Sequence, residues 1–426
     1  MKKMENKGRA IALLPIGVFL VLFLGSGFLT GDFYAMPAIV GFLIALFVAF
    51  MQNRELKFGD KVRVIAQGVG NENIITMCLI FLVAGAFSGA VSAAGGAKSA
   101  AYLGLAILPP NVAVAGLFLI SCFVSLSMGT SMGTIAALAP IAVEISGKTG
   151  FSMAICIGAV MCGAMFGDNL SVISDTTIAA VNTQGCEMKD KFRENFKIVL
   201  PAAIITFVLF IILTMNIDFH MEEELSYNIW QVIPYLIVLI GALAGVNVFV
   251  VLLVGTVLSL VVGVATGMIL PTGIFTAVGD GIQSMYDITV ISIIVACIVS
   301  LVRKYGGIEF ILSFIKKRIK GRKGGEFGIA LLAALVDICT ANNTVAIVMA
   351  GPIAKEICGE FNISPRRSAS LLDMFSSTCQ GLIPYGAQLL SAASLTGLTP
   401  FQIIPYCFYP ILMGVSGLIY IAVKKK

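Results

Sequence analysis

Two stretches of the chain, Ile11 to Leu29 and Ile198 to Met215, are apolar on every face and carry no charged side chain. A helix that is apolar all round must be buried in protein or lipid, and about 20 such residues span a bilayer. Comparable stretches recur throughout the 426 residues, which are 58% hydrophobic and only 12% charged, against about 25% charged in a soluble domain. Mean hydropathy is +0.99. These features predict an all-α polytopic membrane protein with room for about 11 to 14 crossings, and they argue against an enzyme head or a receptor ectodomain. A transmembrane β-barrel would alternate apolar and polar positions, which these stretches do not.

The formal charge of +5 matters less than its placement. Basic clusters mark the cytoplasmic side of a membrane protein. They fall at Lys2 to Arg9, Arg54 to Arg63, Lys189 to Lys197, Arg303 to Lys323, Arg366-Arg367 and Lys424 to Lys426, whereas the stretch from Asp218 to Glu224 is acidic. Read as loops, they place both termini in the cytoplasm and the acidic loop outside. They lack the aromatic interleaving of a nucleic-acid patch. The ten cysteines are scattered singly without C-x-x-C spacing and read as small buried hydrophobes. The first apolar stretch lacks a small-residue cleavage site and is followed by further spans, so it is expected to be a first helix and not a removed signal.

Breaks at charges and at Gly/Pro clusters give spans near residues 10–29, 36–51, 73–94, 109–127, 134–146, 151–181, 198–217, 229–244, 246–266, 286–302, 327–341, 344–358, 368–392 and 401–423. The segments 134–146 and 344–358 are too short to cross roughly 30 Å, and are expected to be half-helices. They also repeat: Pro140 to Gly147 matches Pro352 to Gly359 at six of eight positions, 212 residues apart. Gly68 with Gly281, Thr76 with Thr289, and Gly95-Gly96 with Gly306-Gly307 echo it at nearly the same spacing. Parity of the spans makes the two copies inverted, which with interrupted helices is the signature of a secondary transporter. The expected divisions are N-terminal helices 1–59, a first inverted repeat 60–197, connecting helices 198–271, a second repeat 272–400 and a C-terminal helix with basic tail 401–426.

An ionisable residue at membrane depth is by default a functional candidate. The richest stretch is Gly167-Asp168-Asn169-Leu170-Ser171-Val172-Ile173-Ser174-Asp175-Thr176-Thr177, where Ser, Asn and Asp compete for backbone hydrogen bonds and let the helix unwind. Asp168 and Asp175, with Asn169, Ser171, Ser174 and Thr176, then supply hard oxygen ligands suited to Na⁺ rather than the softer donors of transition metals. No basic residue lies in the same stretch to pair with the carboxylates. In the second repeat Gln380 falls opposite Asp168, with Asp373 about two turns earlier. Polar breaks containing Thr130 and Ser131 in one repeat, and Asp337, Asn342 and Asn343 in the other, are expected to be hairpin tips; Asp337 also reads as a helix cap there. Asp280 and Asp287 read as loop residues, and Glu144 and Glu356 as interfacial. Gly129 to Gly133 fits G-x-S-x-G, but the sole histidine is His220 in the acidic loop and no strand precedes it. Ser146 to Thr149 lacks the first glycine of a phosphate loop.

Gly167 to Thr177 resembles the G-D-x-x-S-x-x-S-D-T-T signature of the NhaC-type sodium/proton antiporter family. Gly129 to Thr134 is similar to that family's G-T-S-x-G-T segment, and Leu382-Ile383-Pro384-Tyr385 resembles its L-I-P-W segment, preceded by an acidic residue, here Asp373. The resemblance covers most of the chain after about residue 60. It implies a bacterial or archaeal inner-membrane carrier that exchanges Na⁺ for H⁺ without a cofactor, in a family that includes a malate/lactate exchanger and amino-acid carriers. Its partners are then the two ions and the bilayer, with a homodimer allowed. Tyr385 in place of Trp, and the amides Asn342, Asn343 and Gln380, leave open a Na⁺- or H⁺-coupled carrier of an organic anion or amino acid. The exchange expected is competition of Na⁺ and H⁺ at Asp168 and Asp175.

Overall fold

A computed structural model describes residues 8–30, 36–107, 110–171, 174–215, 226–244 and 246–423. The acidic loop, Lys2, Lys3, Lys7, Val172, Ile173 and Lys424 to Lys426 lie outside the described residues. Among those described there is no strand. The first half of the chain forms α1 (Leu14–Thr30), α2 (Ala38–Met51), α3 (Phe58–Val69), α4 (Glu72–Ala93), α5 (Gly96–Ile107), α6 (Pro110–Met128), α7 (Ser131–Thr149), α8 (Met153–Leu170), α9 (Asp175–Gln184) and α10 (Met188–Met215). The second half repeats that order as α11 (Ile229–Leu243), α12 (Val248–Ala265), α13 (Ile274–Ser284), α14 (Tyr286–Lys304), α15 (Gly307–Lys316), α16 (Gly321–Thr340), α17 (Asn343–Phe361), α18 (Pro365–Gln380), α19 (Ala387–Thr396), α20 (Pro400–Ile403) and α21 (Phe408–Val423). Ser131 and Asn343, Met153 and Pro365, Asp175 and Ala387, and Met188 and Pro400 open corresponding helices, each pair 212 positions apart.

Packing obeys the same exchange. α4 lies on α12 and α13, and its counterpart α14 lies on α2 and α3; α7 lies on α19, and α17 on α9. A pseudo-twofold axis relates the halves. The ends of the hairpins show its direction. At the base of α6–α7, Lys148 sits 4.9 Å from the Tyr102 ring of α5, and α5 is tied to the start of α11 by Ser99 donating to Gln231 at 2.7 Å. In sequence, the start of α11 follows the acidic stretch. At the base of α16–α17, Lys316 of α15 pairs with Glu356 inside the Arg303 to Lys323 basic cluster. The hairpin tips nevertheless share one cavity, at Thr130-Ser131 and Asn342-Asn343. The hairpins therefore enter from opposite sides, and the repeats are inverted.

Among the described residues four helical stretches are long and apolar enough to cross a membrane: Ile74–Ala93, Met153–Gln184, Met188–Met215 and Pro271–Lys304. Pro400–Tyr406 and Phe408–Val423 form a fifth candidate, bent by 55°. Lipid-facing surface is plain on α12, where Val250, Leu253, Val254, Val257 and Val261 are all exposed. The centre is α8 and α18, buried along nearly their whole length. Gly163 and Gly167 let α8 press against the α6 backbone; a methyl group at Gly167 would overlap Leu126 and Cys122 main-chain atoms.

Two expectations are corrected. The segments read as half-helices are full 19-residue helices, about 28 Å long at 1.5 Å per residue. The polar residues that bound each apolar core, Ser131 to Gly133 and Gly147 to Thr149 in the first, continue the helix. Lys191 and Arg367, assigned by sequence to cytoplasmic loops, are buried at 1% and 2% exposure, because each has a carboxylate to meet: Asp373 for Lys191, Glu194 and Glu326 for Arg367.

Candidate ion site

α8 ends at Leu170 and α9 begins at Asp175, so the helix breaks where the hydroxyls and amides cluster. Asp168 sits in the last turn of α8, 8% exposed. A helix C-terminus carries a partial negative charge, and a carboxylate there strengthens the local attraction for a cation. Both oxygens of Asp168 accept hydrogen bonds from hydroxyls. Ser131 Oγ, at the tip of the first hairpin, donates to Oδ2 at 2.7 Å, with the Ser131 N–H at 3.3 Å. Ser174 Oγ, across the break, donates to Oδ1 at 2.5 Å, and the Thr176 hydroxyl lies 2.9 Å from Ser174 Oγ. Among the described residues no salt bridge reaches Asp168.

A hydroxyl has one proton and two lone pairs. Ser131, Ser174 and Thr176 can therefore donate to an empty carboxylate or, after rotation, offer oxygen to a metal cation beside it. Among the described residues no three His, Cys, Asp or Glu side chains converge; the oxygens nearest Asp168 are hydroxyls.

The network crosses to the other half. Gln388 Nε2 donates to Ser131 Oγ at 3.1 Å, and Gln380 Nε2 donates to Gln388 Oε1 at 2.7 Å and to the Ala341 carbonyl at 3.3 Å. Asp168 is thus linked through Ser131, Gln388 and Gln380 to the tip of the second hairpin. Gln388 is absent from the sequence-derived candidates. It stands 212 positions after Thr176, a spacing that would have found it.

The remaining candidates separate. Asp175 is the first residue of α9 and lines the same cavity, but it is exposed at the rim. Asn169 points away: its Oδ1 accepts from Asn195 at 2.7 Å, and Ser370 donates to Asn195 at 2.8 Å. Ser171 is buried at the end of α8. Thr130 and Asn342 cap α7 and α17, accepting from Gly133 N–H at 3.4 Å and Val345 N–H at 2.9 Å; Asp337, expected as a cap, is not one. Asn343 is buried beside the cavity with its Nδ2 unbonded, as is Gln380 Oε1. Asp373 faces Lys191, which also donates to the Asn169 carbonyl and to Thr177 Oγ1, both at 2.8 Å. All three ammonium protons are used, and Lys191 neutralises Asp373 while capping the end of α8. Lys191 thus reaches the Asp168 stretch from outside it, at the Asn169 carbonyl and the Thr177 hydroxyl, and pairs with no carboxylate there. On α10, Lys191, Glu194, Asn195 and Ile198 share one helical face at spacings of three and four, a polar extension of the buried stripe that the charge cluster concealed.

The cavity holding Asp168 has a volume of about 360 Å³. A second, of about 450 Å³, shares Ala341, Asn342 and Ala387 with it and reaches Arg303 and Lys304. The two cavities adjoin at those residues, and the second extends to the basic end of α14.

Residues 8–215 and 220–425 each match the Na⁺/H⁺ antiporter family, one match per half of the duplicated fold. The chain is 23% identical to the Na⁺/H⁺ antiporter NhaC of Alkalihalophilus pseudofirmus, over 99% of this chain and 98% of that one. It is also 23% identical to a malate-2H⁺/Na⁺-lactate antiporter of Bacillus subtilis, over 96% and 93% of the two chains. The YdaH transporter of Alcanivorax borkumensis aligns over 97% of this chain and 98% of its own, with a TM-score of 0.43 and 13% identity.

Proposed function

The chain belongs to the Na⁺/H⁺ antiporter family, and from that premise we propose that it exchanges Na⁺ for H⁺ by competition at Asp168. The observation that carries this reading is a carboxylate buried in the last turn of a broken helix, held by rotatable hydroxyls and unpaired with any base among the described residues. Such a group needs a counter-charge, which either a proton or a metal cation supplies. Na⁺ takes the Asp168 carboxylate with Ser131 and Ser174 hydroxyls turned toward it, and unwound carbonyls complete the shell. Protonation closes the same hydroxyls back onto the carboxyl. Asp175, at the exposed rim, attracts the cation into the cavity and does not share the inner shell. The loaded site is neutral and permits the hairpins to move; the empty, charged site does not, which makes exchange obligatory.

The basic face is placed at the cytoplasm by the positive-inside rule, in a bacterial inner membrane with both termini inside. A Na⁺ pulse applied to inside-out vesicles should drive proton movement in the wild type and none in Asp168→Asn. Because the ions compete, lowering the pH should raise the half-saturating Na⁺ concentration and leave the rate at saturating Na⁺ unchanged. Equal activity in Asp168→Asn removes this carboxylate from the cycle.

One observation favours a second reading. A cavity of about 360 Å³ is within the range that holds small molecules, and the unbonded Asn343 Nδ2 and Gln380 Oε1 at its wall suit a carboxylate or amide solute. In that reading Asp168 binds the coupling ion. Uptake of labelled organic acids and amino acids separates the two, since a pure ion exchanger accumulates none.

A further inference from the structure

Asp337 lies on α16, one turn before the second hairpin tip, outside the network that holds Asp168. It has no exposed surface, and both carboxylate oxygens are buried without a hydrogen-bond partner. The ionisable groups around it are the thiols of Cys339 on its own helix and Cys379 on α18, and the phenol of Tyr385, which donates to the Ile338 carbonyl at 2.7 Å. None is a cation. Among the described residues no charged group of the helices packed on α16, namely α14, α15, α17, α18 and α21, acts on it. The corresponding residue of the first half, 212 positions earlier, is Ser125, whose hydroxyl donates to the Ala164 carbonyl at 2.6 Å.

A bare carboxylate in that setting costs several kcal/mol, and a metal cation demands several further oxygens. A proton demands none. We propose that Asp337 is a second proton-binding site of the exchanger, carrying its proton in the half of the protein where Asp168 is replaced by Gln380. Its route to water is short, because Thr340, Ala341 and Tyr385 line the 450 Å³ cavity immediately beyond it. Movement of the second hairpin opens that wall. Asp168 then faces the 360 Å³ cavity and Asp337 the adjoining 450 Å³ one, and only Asp168 can trade its proton for Na⁺.

Infrared spectroscopy of the purified full-length protein at neutral pH tests the protonation without any transport. The expected result is a carbonyl stretch of an acid free of hydrogen bonds, present in the wild type and lost in Asp337→Asn. Asp337→Ser, which copies the first half, gives the same loss should the amide not be tolerated. A wild type without that band, or a band that survives both variants, overturns the proposal. The transport arm rests on the exchange proposed above: a proton that never trades for Na⁺ crosses on both legs, so in proteoliposomes Asp337→Asn should keep the wild-type number of protons moved per Na⁺, and a changed ratio contradicts the assignment. Absence of Na⁺-driven proton movement in the wild type would instead sink the exchange reading, which the infrared result does not depend on.

Discussion

At the end of α8 stand Asp168, Ser131, Ser174 and Thr176; at the end of α18, at the equivalent positions, stand Gln380, Asn343, Gly386 and Gln388. The backbone has been duplicated with little change, down to the caps Thr130 and Asn342, while the chemistry has been divided. Acid and hydroxyls occupy one half and amides the other. An inverted fold with identical halves would present two equal cation sites. On the exchange proposed above, placing the carboxylate in one half leaves a single exchange point, and the amides of the other half tie Asp168 to the opposing hairpin. Lys191 belongs to this division as well, since it supplies in protein form the positive charge that Asp373 would otherwise demand from solution.

That contrast can be tested at several strengths. The largest effect is expected from Lys191→Met, which strands Asp373 in the core and should cost about 3–5 kcal/mol of stability, read as thermal unfolding in detergent. Adding Asp373→Leu should return most of the loss, because removing both charges is close to neutral where removing one is not. A single variant as stable as the wild type would deny the pair its buried setting. Next, Asp168→Asn makes the two halves alike in charge and should lower exchange at least about 100-fold, equivalent to about 3 kcal/mol. Ser131→Ala removes one hydroxyl that serves both the carboxylate and Gln388; a hydrogen bond to a charged group is worth about 1.5–3 kcal/mol, so the half-saturating Na⁺ concentration should rise about tenfold or more. The smallest effect concerns the hairpin tips. Gly129 and Ala341 both hold left-handed backbone, at φ of 68° and 49°, which costs a residue with a Cβ about 1–2 kcal/mol. Ala341→Gly should therefore stabilise the second tip by up to about 1 kcal/mol in the same unfolding measurement, whereas Gly129→Ala should destabilise the first.

Much of this arrangement was legible beforehand, for a physical reason. A carboxylate in an apolar stretch is so costly that Asp168 announces itself, and Ser171 and Ser174 around it mark the break. The duplicated Pro140 and Pro352 segments gave the 212 spacing on which every correspondence rests. The residues that escaped did so because their meaning depends on distant partners. Lys191 and Arg367 sit in charge clusters that read as solvated loops, and only the folded chain brings Lys191 to a carboxylate 182 positions away. Asp175 carries the same letter as Asp168 but opens a helix at the rim, where water keeps it inexpensive. Asn169 neighbours Asp168 in sequence, yet adjacent positions on a helix face different ways, and its amide serves Asn195.

The most direct measurement is proton release on Na⁺ addition to the purified protein in weakly buffered detergent solution, compared between the wild type, Asp168→Asn and Asp175→Asn. Competition at a single buried carboxylate predicts that Na⁺ expels protons from the wild type and from Asp175→Asn, and none from Asp168→Asn. Undiminished release from Asp168→Asn would place the exchange elsewhere in the molecule.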